Sequence, residues 1–306
     1  MCSNDNIKPL WESVEKNFLK VNLHQFREIG QVNERLGTWG PLSDSSRYYK
    51  ALMYEFCHYL EYNQTTKPHN NAPNFIEIFN KIKNTSLGNP VDINYKGHKV
   101  NLDYLLSVEE LIFLYSYLPN VQSIVEIGAG FGRTVHGILS NFDIEKYFII
   151  DLQPVLDLSK KYLELVLDKR NFEKIIFLNP EEMNLIDTID LVINIDSMQE
   201  MTFEVASSYI DWINEKSNLF FTKNSMGKYD PTDINLNIKN NLEYQSALKM
   251  GLMQDIYKLF DTNDRIKATA VYHAKFCPRD FELIKNQRGF GQYLNYELAL
   301  YQTTIT

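Results

Sequence analysis

The chain has 306 residues with a formal net charge of −8; hydrophobic residues make up 44% and charged residues 23%. That balance suits a soluble globular protein of one large or two modest domains. An acidic chain without a basic run is poorly equipped to grip nucleic acid, whose phosphates are held by Lys and Arg, and no apolar run reaches bilayer-spanning length.

Cys2, Cys57 and Cys277 are scattered, there is no CxxC, and "MCSNDNIKPLW" lacks a charged-then-apolar leader. These features point to a reducing cytoplasm and give neither a disulfide framework nor a structural zinc site.

Residues 1–118 read as a mainly helical region. Trp11, Val14, Phe18 and Val21 recur at helical spacing, as do Leu52, Phe56 and Leu60, and then Phe75, Phe79 and Ile82. The polar stretch 63–73 reads as a loop, and "VDINYKGHKV" (91–100) as a hairpin turning at Lys96-Gly97. "SVEE" (107–110) resembles a capping box for a helix that stops at Pro119. The region is expected to cover a cleft and to offer surface for self-association.

Residues 119–306 alternate strand and helix. Strands are predicted at 123–129, 147–152, 174–180, 190–196 and 218–224. Helix faces fall at Val135, Ile138, Leu139 and Phe142, at Val155, Leu158, Tyr162 and Val166, and at Ala206, Tyr209 and Ile213. Near-continuous apolar strands between amphipathic helices predict an α/β fold with a parallel sheet covered on both faces. "IKATAVYHAKF" (266–276) and "YLNYELALYQ" (293–302) alternate with period two and read as an added antiparallel pair.

"VEIGAGFGR" (125–133) ends the first of these strands and opens the next helix, the context of a nucleotide site. Its spacing is GxGxG, not the GxGxxG of dinucleotide folds. Glu126 stands two residues before Gly128, where a carboxylate repels a pyrophosphate and suits a ligand with an ammonium and a sulfonium. Asp151 ends the second strand, where a carboxylate accepts ribose hydroxyls. Each acid has a plainer reading, Glu126 bonding backbone amides and Asp151 capping a helix; their joint occurrence in strand–loop–helix order favours the nucleoside ligand.

This motif, with "IIDL" (149–152), resembles the first two motifs of class I S-adenosylmethionine (SAM)-dependent methyltransferases. "LGNPVDINYKGHKVNLDYL" (87–105), "IDLQPVLDLSKKYL" (starting near Asp151) and "INIDSMQEM" (193–201) further resemble the sugar O-methyltransferase family of bacterial surface-polysaccharide clusters. The resemblance implies a Rossmann-like, seven-stranded, mostly parallel sheet with its last strand antiparallel. It also implies SAM held by Glu126, Gly128 and Gly130 on the methionine side. Asp151 and Leu152 then meet ribose and adenine, Asn179 and Pro180 lie at the end of the third strand, and Asn194 at the end of the fourth.

Methyl transfer to a hydroxyl needs an aligned oxygen and a base. The candidates are Glu200 and Asp196, four apart just past the fourth strand, with His273 as the rival. The plainer reading makes Asp196 a helix cap and Glu200 a solvated first-turn acid. Asn224, Lys228 and Tyr229, read as a loop after the fifth strand, are candidates for the sugar, Lys228 for a diphosphate if the sugar is nucleotide-linked. Asp196, Glu200 and Asp230 could supply hard oxygen ligands to a divalent cation, although no spacing demands it. His136 is assigned to packing.

The reading is thus a SAM-dependent O-methyltransferase acting on a sugar or nucleotide sugar. Its alternatives are a methyltransferase of another phosphorylated metabolite or natural product, and a catalytically inactive SAM-fold subunit. A nicotinamide oxidoreductase is disfavoured by the GxGxG spacing and Glu126.

Overall fold

A computed structural model describes residues 46–66, 72–233, 242–290 and 295–305. The face expected at Trp11, Val14, Phe18 and Val21 lies outside these residues. Backbone contacts divide the chain into two compact units.

The first unit holds residues up to Asn120 with Gly130–Ile144 and Asp151–Pro180. It contains α1 (Ser46–Thr66), α2 (Phe75–Lys81), the hairpin β1 (Asp92–Tyr95) and β2 (His98–Asn101), α3 (Leu102–Leu114), α4 (Arg133–Asn141), α5 (Gln153–Val166), α6 (Lys169–Phe172) and β5 (Ile175–Leu178). The hairpin turns at Lys96 and Gly97 as expected, both at positive φ (50° and 86°), the combination that matches the twist of a two-residue turn.

Helix α3 starts earlier than the "SVEE" pattern predicts. The Asn101 side chain accepts from the Tyr104 N–H at 3.3 Å and its amide donates to Thr85 O at 3.1 Å, so the cap stands at Asn101 and Ser107 lies mid-helix. The helix also ends at Leu114, before Pro119, which sits in a separate 3₁₀ turn, Leu118–Asn120.

Every residue of α3 is buried, Asp103, Ser107, Glu109 and Glu110 included. Burial of Glu110 is offset by Arg133 from α4, whose Nη2 contacts both carboxylate oxygens at 2.9 and 3.1 Å. His136 is fully buried one turn further on, with Tyr104 Oη 2.5 Å from its Nδ1; Tyr104 Oη also lies 2.6 Å from Tyr162 Oη. His136 therefore belongs to a buried packing cluster, the role expected of it.

The second unit holds Val121–Ala129, Glu145–Ile150 and residues from Glu181 onward. It contains β3 (Ser123–Ile127), β4 (Lys146–Ile150), β6 (Ile189–Ile195), α7 (Phe203–Lys216), β7 (Ser217–Ser225), the two-residue strands β8 (Lys228–Tyr229) and β9 (Ile256–Tyr257), α8 (Leu242–Ala247), α9 (Thr262–Phe276), β10 (Phe281–Arg288) and β11 (Tyr296–Thr303). Ile124, Val125, Leu191, Val192, Ile193, Phe220 and Phe221 are essentially inaccessible. This accounts for apolar runs without alternation in β3, β6 and β7.

The seven-stranded sheet has the order β10-β11-β7-β6-β3-β4-β5. β3 runs parallel to β4 and β6, and β6 to β7, whereas β11 is antiparallel to both β7 and β10. The expected architecture, a mostly parallel sheet whose last strand is antiparallel, is present.

One expected strand is wrong. Residues 266–276 belong to helix α9, with Ala268, Tyr272 and Phe276 buried four apart. Asp261 starts it, its carboxylate accepting from the N–H groups of Asn263 and Asp264 at 2.9 and 3.1 Å. Small alanines mimic alternation, but the cap and the four-residue spacing of the aromatics favour a helix. The partner of β11 is instead β10, a polar strand at the end of the sheet.

Candidate functional site

In the first unit the site is built on the bend after Ala129. Gly130 (φ +58°) lies in the left-handed region, and a Cβ there would meet nothing within 4 Å. Its N–H donates to Asp151 Oδ2 at 3.1 Å, and the Leu152 N–H donates to Asp151 Oδ1 at 2.8 Å. Asp151 follows the last residue of β4, and its own N–H donates to Leu178 O at 3.3 Å.

Two amides therefore hold the carboxylate in a fixed pose. Burial pushes its pKa up to about 7, and the two backbone bonds only partly oppose that. Leu152, Asn179 and Pro180 are half-buried, and the Asn179 amide donates to Gln153 Oε1 at 3.1 Å. A pre-oriented carboxylate, glycine backbone open on one side and a half-buried amide can take a vicinal diol and an aromatic base, so these residues fit an adenosine.

In the second unit Glu126 lies within β3, buried, and its Oε2 accepts from Tyr147 Oη at 2.7 Å. Tyr147 comes from β4, two residues before Ile149, the register partner of Glu126; period-two alternation puts both side chains on one face. Gly128 (φ +75°) is demanded by space as well as by φ: a Cβ there would lie 2.1 Å from Ser197 Oγ. Its N–H donates to Ile150 O at 2.8 Å.

Asn194 is buried and structurally committed. Its amide nitrogen donates to Ile127 O and Ser197 Oγ, both at 2.9 Å, and its oxygen accepts from the Met198 N–H and the Asn224 amide at 3.3 and 2.8 Å. Asn224 is not in a loop: β7 runs through Ser225, and Asn224 is fully buried within it. Its place is therefore in the Asn194–Asn224 lock between neighbouring strands.

Past β6 the chain does not enter a helix. Asp196 has φ +59°, Met198–Glu200 form a single 3₁₀ turn, and α7 begins only after Thr202, which caps it. The four-residue spacing of Asp196 and Glu200 thus carries no shared helical face. Both are exposed. Asp196 Oδ1 accepts from Tyr296 Oη and from the Gln199 amide. The same Gln199 amide lies 2.6 Å from Tyr296 Oη, and Gln199 Oε1 accepts from the Ser225 N–H at 3.0 Å.

The ends of β6 and β7 and the start of β11 therefore share one polar network, and strained backbone of this kind concentrates at functional sites. Sequence reasoning missed Tyr147, Ser197, Gln199 and Tyr296. Tyr147 was detectable from strand parity; Ser197 depends on the pairing of β3 with β6, and Gln199 and Tyr296 on the pairing of β11 with β7.

His273 is on α9 rather than on a strand, and its Nε2 lies 3.0 Å from Oε1 of the buried Glu297. Lys228 and Tyr229 form the short strand β8, half-buried. Burial holds Lys228 down at about 8, and Tyr229 Oη donates to Asn295 Oδ1 at 2.8 Å. Asp230 accepts from the Thr232 hydroxyl at 2.6 Å. Among the described residues no three His, Cys, Asp or Glu side chains gather as a cation site, so Asp196, Glu200 and Asp230 do not form one. No helix among them is long and apolar enough to cross a membrane.

No family profile matches the sequence, and no curated protein matches it significantly. Among solved structures, the methyltransferase domain of bacterial CtHen1-C is similar at 11% identity over 66% of this chain and 99% of that one, with a TM-score of 0.47. Magnesium protoporphyrin IX methyltransferase (ChlM) from Synechocystis PCC 6803 with bound SAH is similar at 14% identity over 68% and 90%, TM-score 0.44. An O-methyltransferase family protein from Burkholderia thailandensis is similar at 12% identity over 65% and 57%, TM-score 0.43. Likeness at this level carries no inference about ligand, reaction or substrate.

Proposed function

We propose that this chain is a SAM-dependent O-methyltransferase that methylates a hydroxyl of a sugar, nucleotide-activated or part of a surface glycan. The observation that carries the reading is Asp151: a carboxylate at the end of β4, fixed by the amides of Gly130 and Leu152 where the backbone bends. That geometry suits the hydroxyl pair of a ribose. Glu126, buried within β3 of the second unit, is the other acid of the motif, and a carboxylate there suits a cationic donor and opposes a diphosphate cofactor.

SAM supplies a methyl carbon activated by its sulfonium. The chain must align an acceptor oxygen and take its proton. Asp196 is the base we assign: it follows β6 and is oriented by Gln199 and Tyr296. Glu200 is second, in the adjoining 3₁₀ turn. His273 falls behind both because its Nε2 already engages Glu297. The sugar acceptor rests on the sequence resemblance, with Lys228 and Tyr229 on β8 as its contacts.

The test is calorimetry with S-adenosylhomocysteine, followed by a methyl-transfer assay on a panel of nucleotide sugars. Binding that falls at least tenfold in Asp151→Ala, a loss of about 1.4 kcal/mol or more, supports the reading. Unchanged affinity removes it. Turnover of another metabolite, with none of the sugars accepted, would replace the sugar while keeping the methyl transfer.

A further inference from the structure

Gly130 is left-handed with open space where a Cβ would stand, so packing at that residue does not explain why its amide stays on Asp151. The three residues that follow do. Phe131 is buried and sets its ring edge-on to Tyr162 of α5, with 5.0 Å between centroids at 84°. Gly132 (φ +96°) runs so close to Leu163, also of α5, that a Cβ would stand 2.8 Å from its Cδ1. Arg133 opens α4 and reaches α3 instead. Its Nη2 lies 2.9 and 3.1 Å from the two carboxylate oxygens of Glu110, and its Nη1 donates to Asp103 O at 3.4 Å. One guanidinium therefore touches α3 at two points, two turns apart. The two gripping helices are themselves joined, with 2.6 Å between the hydroxyls of Tyr104 and Tyr162.

The Glu110–Arg133 pair is almost out of solvent, with 1% and 14% of the side chains exposed. Taking two charges out of water is costly, and apolar side chains of similar volume commonly stabilise a fold as well or better. Stability alone does not account for an ion pair here. Direction is what an apolar pair cannot supply. A planar guanidinium with donors in fixed geometry sets the rotation of α4 against α3, and it does so three residues from Gly130.

The Gly130 amide is one of two that hold the Asp151 carboxylate. Burial and the Leu152 and Gly130 amides set the state of that carboxyl, the amides favouring its ionised form. A bend released from α3 lets the Gly130 amide leave. Asp151 then loses its fixed pose and one donor to its charge.

We infer that Arg133 and Glu110 are positioning residues of the cofactor site: the pair holds the glycine bend so that the Gly130 amide fixes Asp151 for a ribose. This role rests on the proposed SAM binding, and it makes α3, from the N-terminal helical region, a support of the cofactor site.

S-adenosylhomocysteine is titrated by calorimetry from roughly pH 5.5 to 8 into the native chain, the double variant Arg133→Met with Glu110→Leu, Arg133→Lys and Arg170→Gln, and each is also unfolded in urea. The apolar double variant is expected to match or exceed the native urea midpoint. It should nevertheless bind about tenfold or more weakly, and its affinity should level off at a higher pH than the native protein's. Arg133→Lys keeps the charge balance but reaches only one point on α3; it should fold like the native chain and bind about threefold or more weakly. Arg170, exposed and paired with Asp143, is the control and should change neither reading. A pair that merely packs would move the urea midpoint and leave the pH dependence of binding in place. Native affinity in the apolar variant, or in Arg133→Lys should the apolar variant fail to fold, overturns the positioning role while the SAM reading stands. Weaker binding with an unmoved pH plateau overturns it too. Failure of the native chain to bind S-adenosylhomocysteine removes the SAM reading and the positioning role with it.

Discussion

Asp151 binds its proton more tightly in the folded chain than in the unfolded one, since burial raises its carboxyl to about 7. Its contribution to stability is therefore fully present below the ordinary carboxylate range and is lost as the pH rises through about 7. Ligand binding runs the other way, because ribose hydroxyls donate to the ionised form. Affinity for S-adenosylhomocysteine should rise about tenfold per unit between roughly pH 5.5 and 7 and then level off. Calorimetry across that range checks the slope, and Asp151→Asn should flatten it.

Tyr147 is the second residue with a sharp expectation. Removing its hydroxyl leaves the buried Glu126 carboxylate short of a donor, so Tyr147→Phe should lower stability by about 1–3 kcal/mol. Urea denaturation reads that cost directly.

At the scale of the loops and helices, the glycines of the bend are not equivalent. Alanine at position 128 meets both a left-handed φ and Ser197, whereas alanine at 130 meets the backbone strain alone. Gly128→Ala should therefore cost about 2 kcal/mol or more, and Gly130→Ala about 1. The urea midpoints of the two variants give the comparison. For α9, Asp261→Ala removes the acceptor for two terminal amides and should cost about 1 kcal/mol.

Elements whose burial is uniform were legible in advance. The apolar strands β3, β4, β6 and β7, the turn at Lys96-Gly97 and the helix after the glycine bend all follow from local pattern. Misreadings arose where local pattern and tertiary environment disagree. Ala268, Ala270 and Ala274 made a helix look alternating, and the charged, amide-rich β10 carries no apolar run to mark it, because an end strand is solvated on one side. Of the site, Glu126, Gly128, Gly130 and Asp151 were visible because one motif places them along the chain. Gln199 and Tyr296 were not, because the strand pairing of β11 brings them to the rim.

Across the whole molecule the formal charge is −8. The sheet also grades from interior to edge. β6 and β7 are largely inaccessible, while β10 alternates with solvent. Amide hydrogen exchange should be slowest in β3, β6 and β7 and fastest in β10, measured by mass spectrometry of the intact chain.

The placement of β11 between β7 and β10 has a consequence for how the protein is made. A nascent chain that has emerged only as far as β10 exposes an unpaired flank on β7, and β10 has no partner to lie against. A ribosome stalled before Tyr296, or a frameshift there, leaves a template open to neighbouring chains. Premature termination upstream of that point should therefore yield aggregates rather than a slightly shortened soluble product.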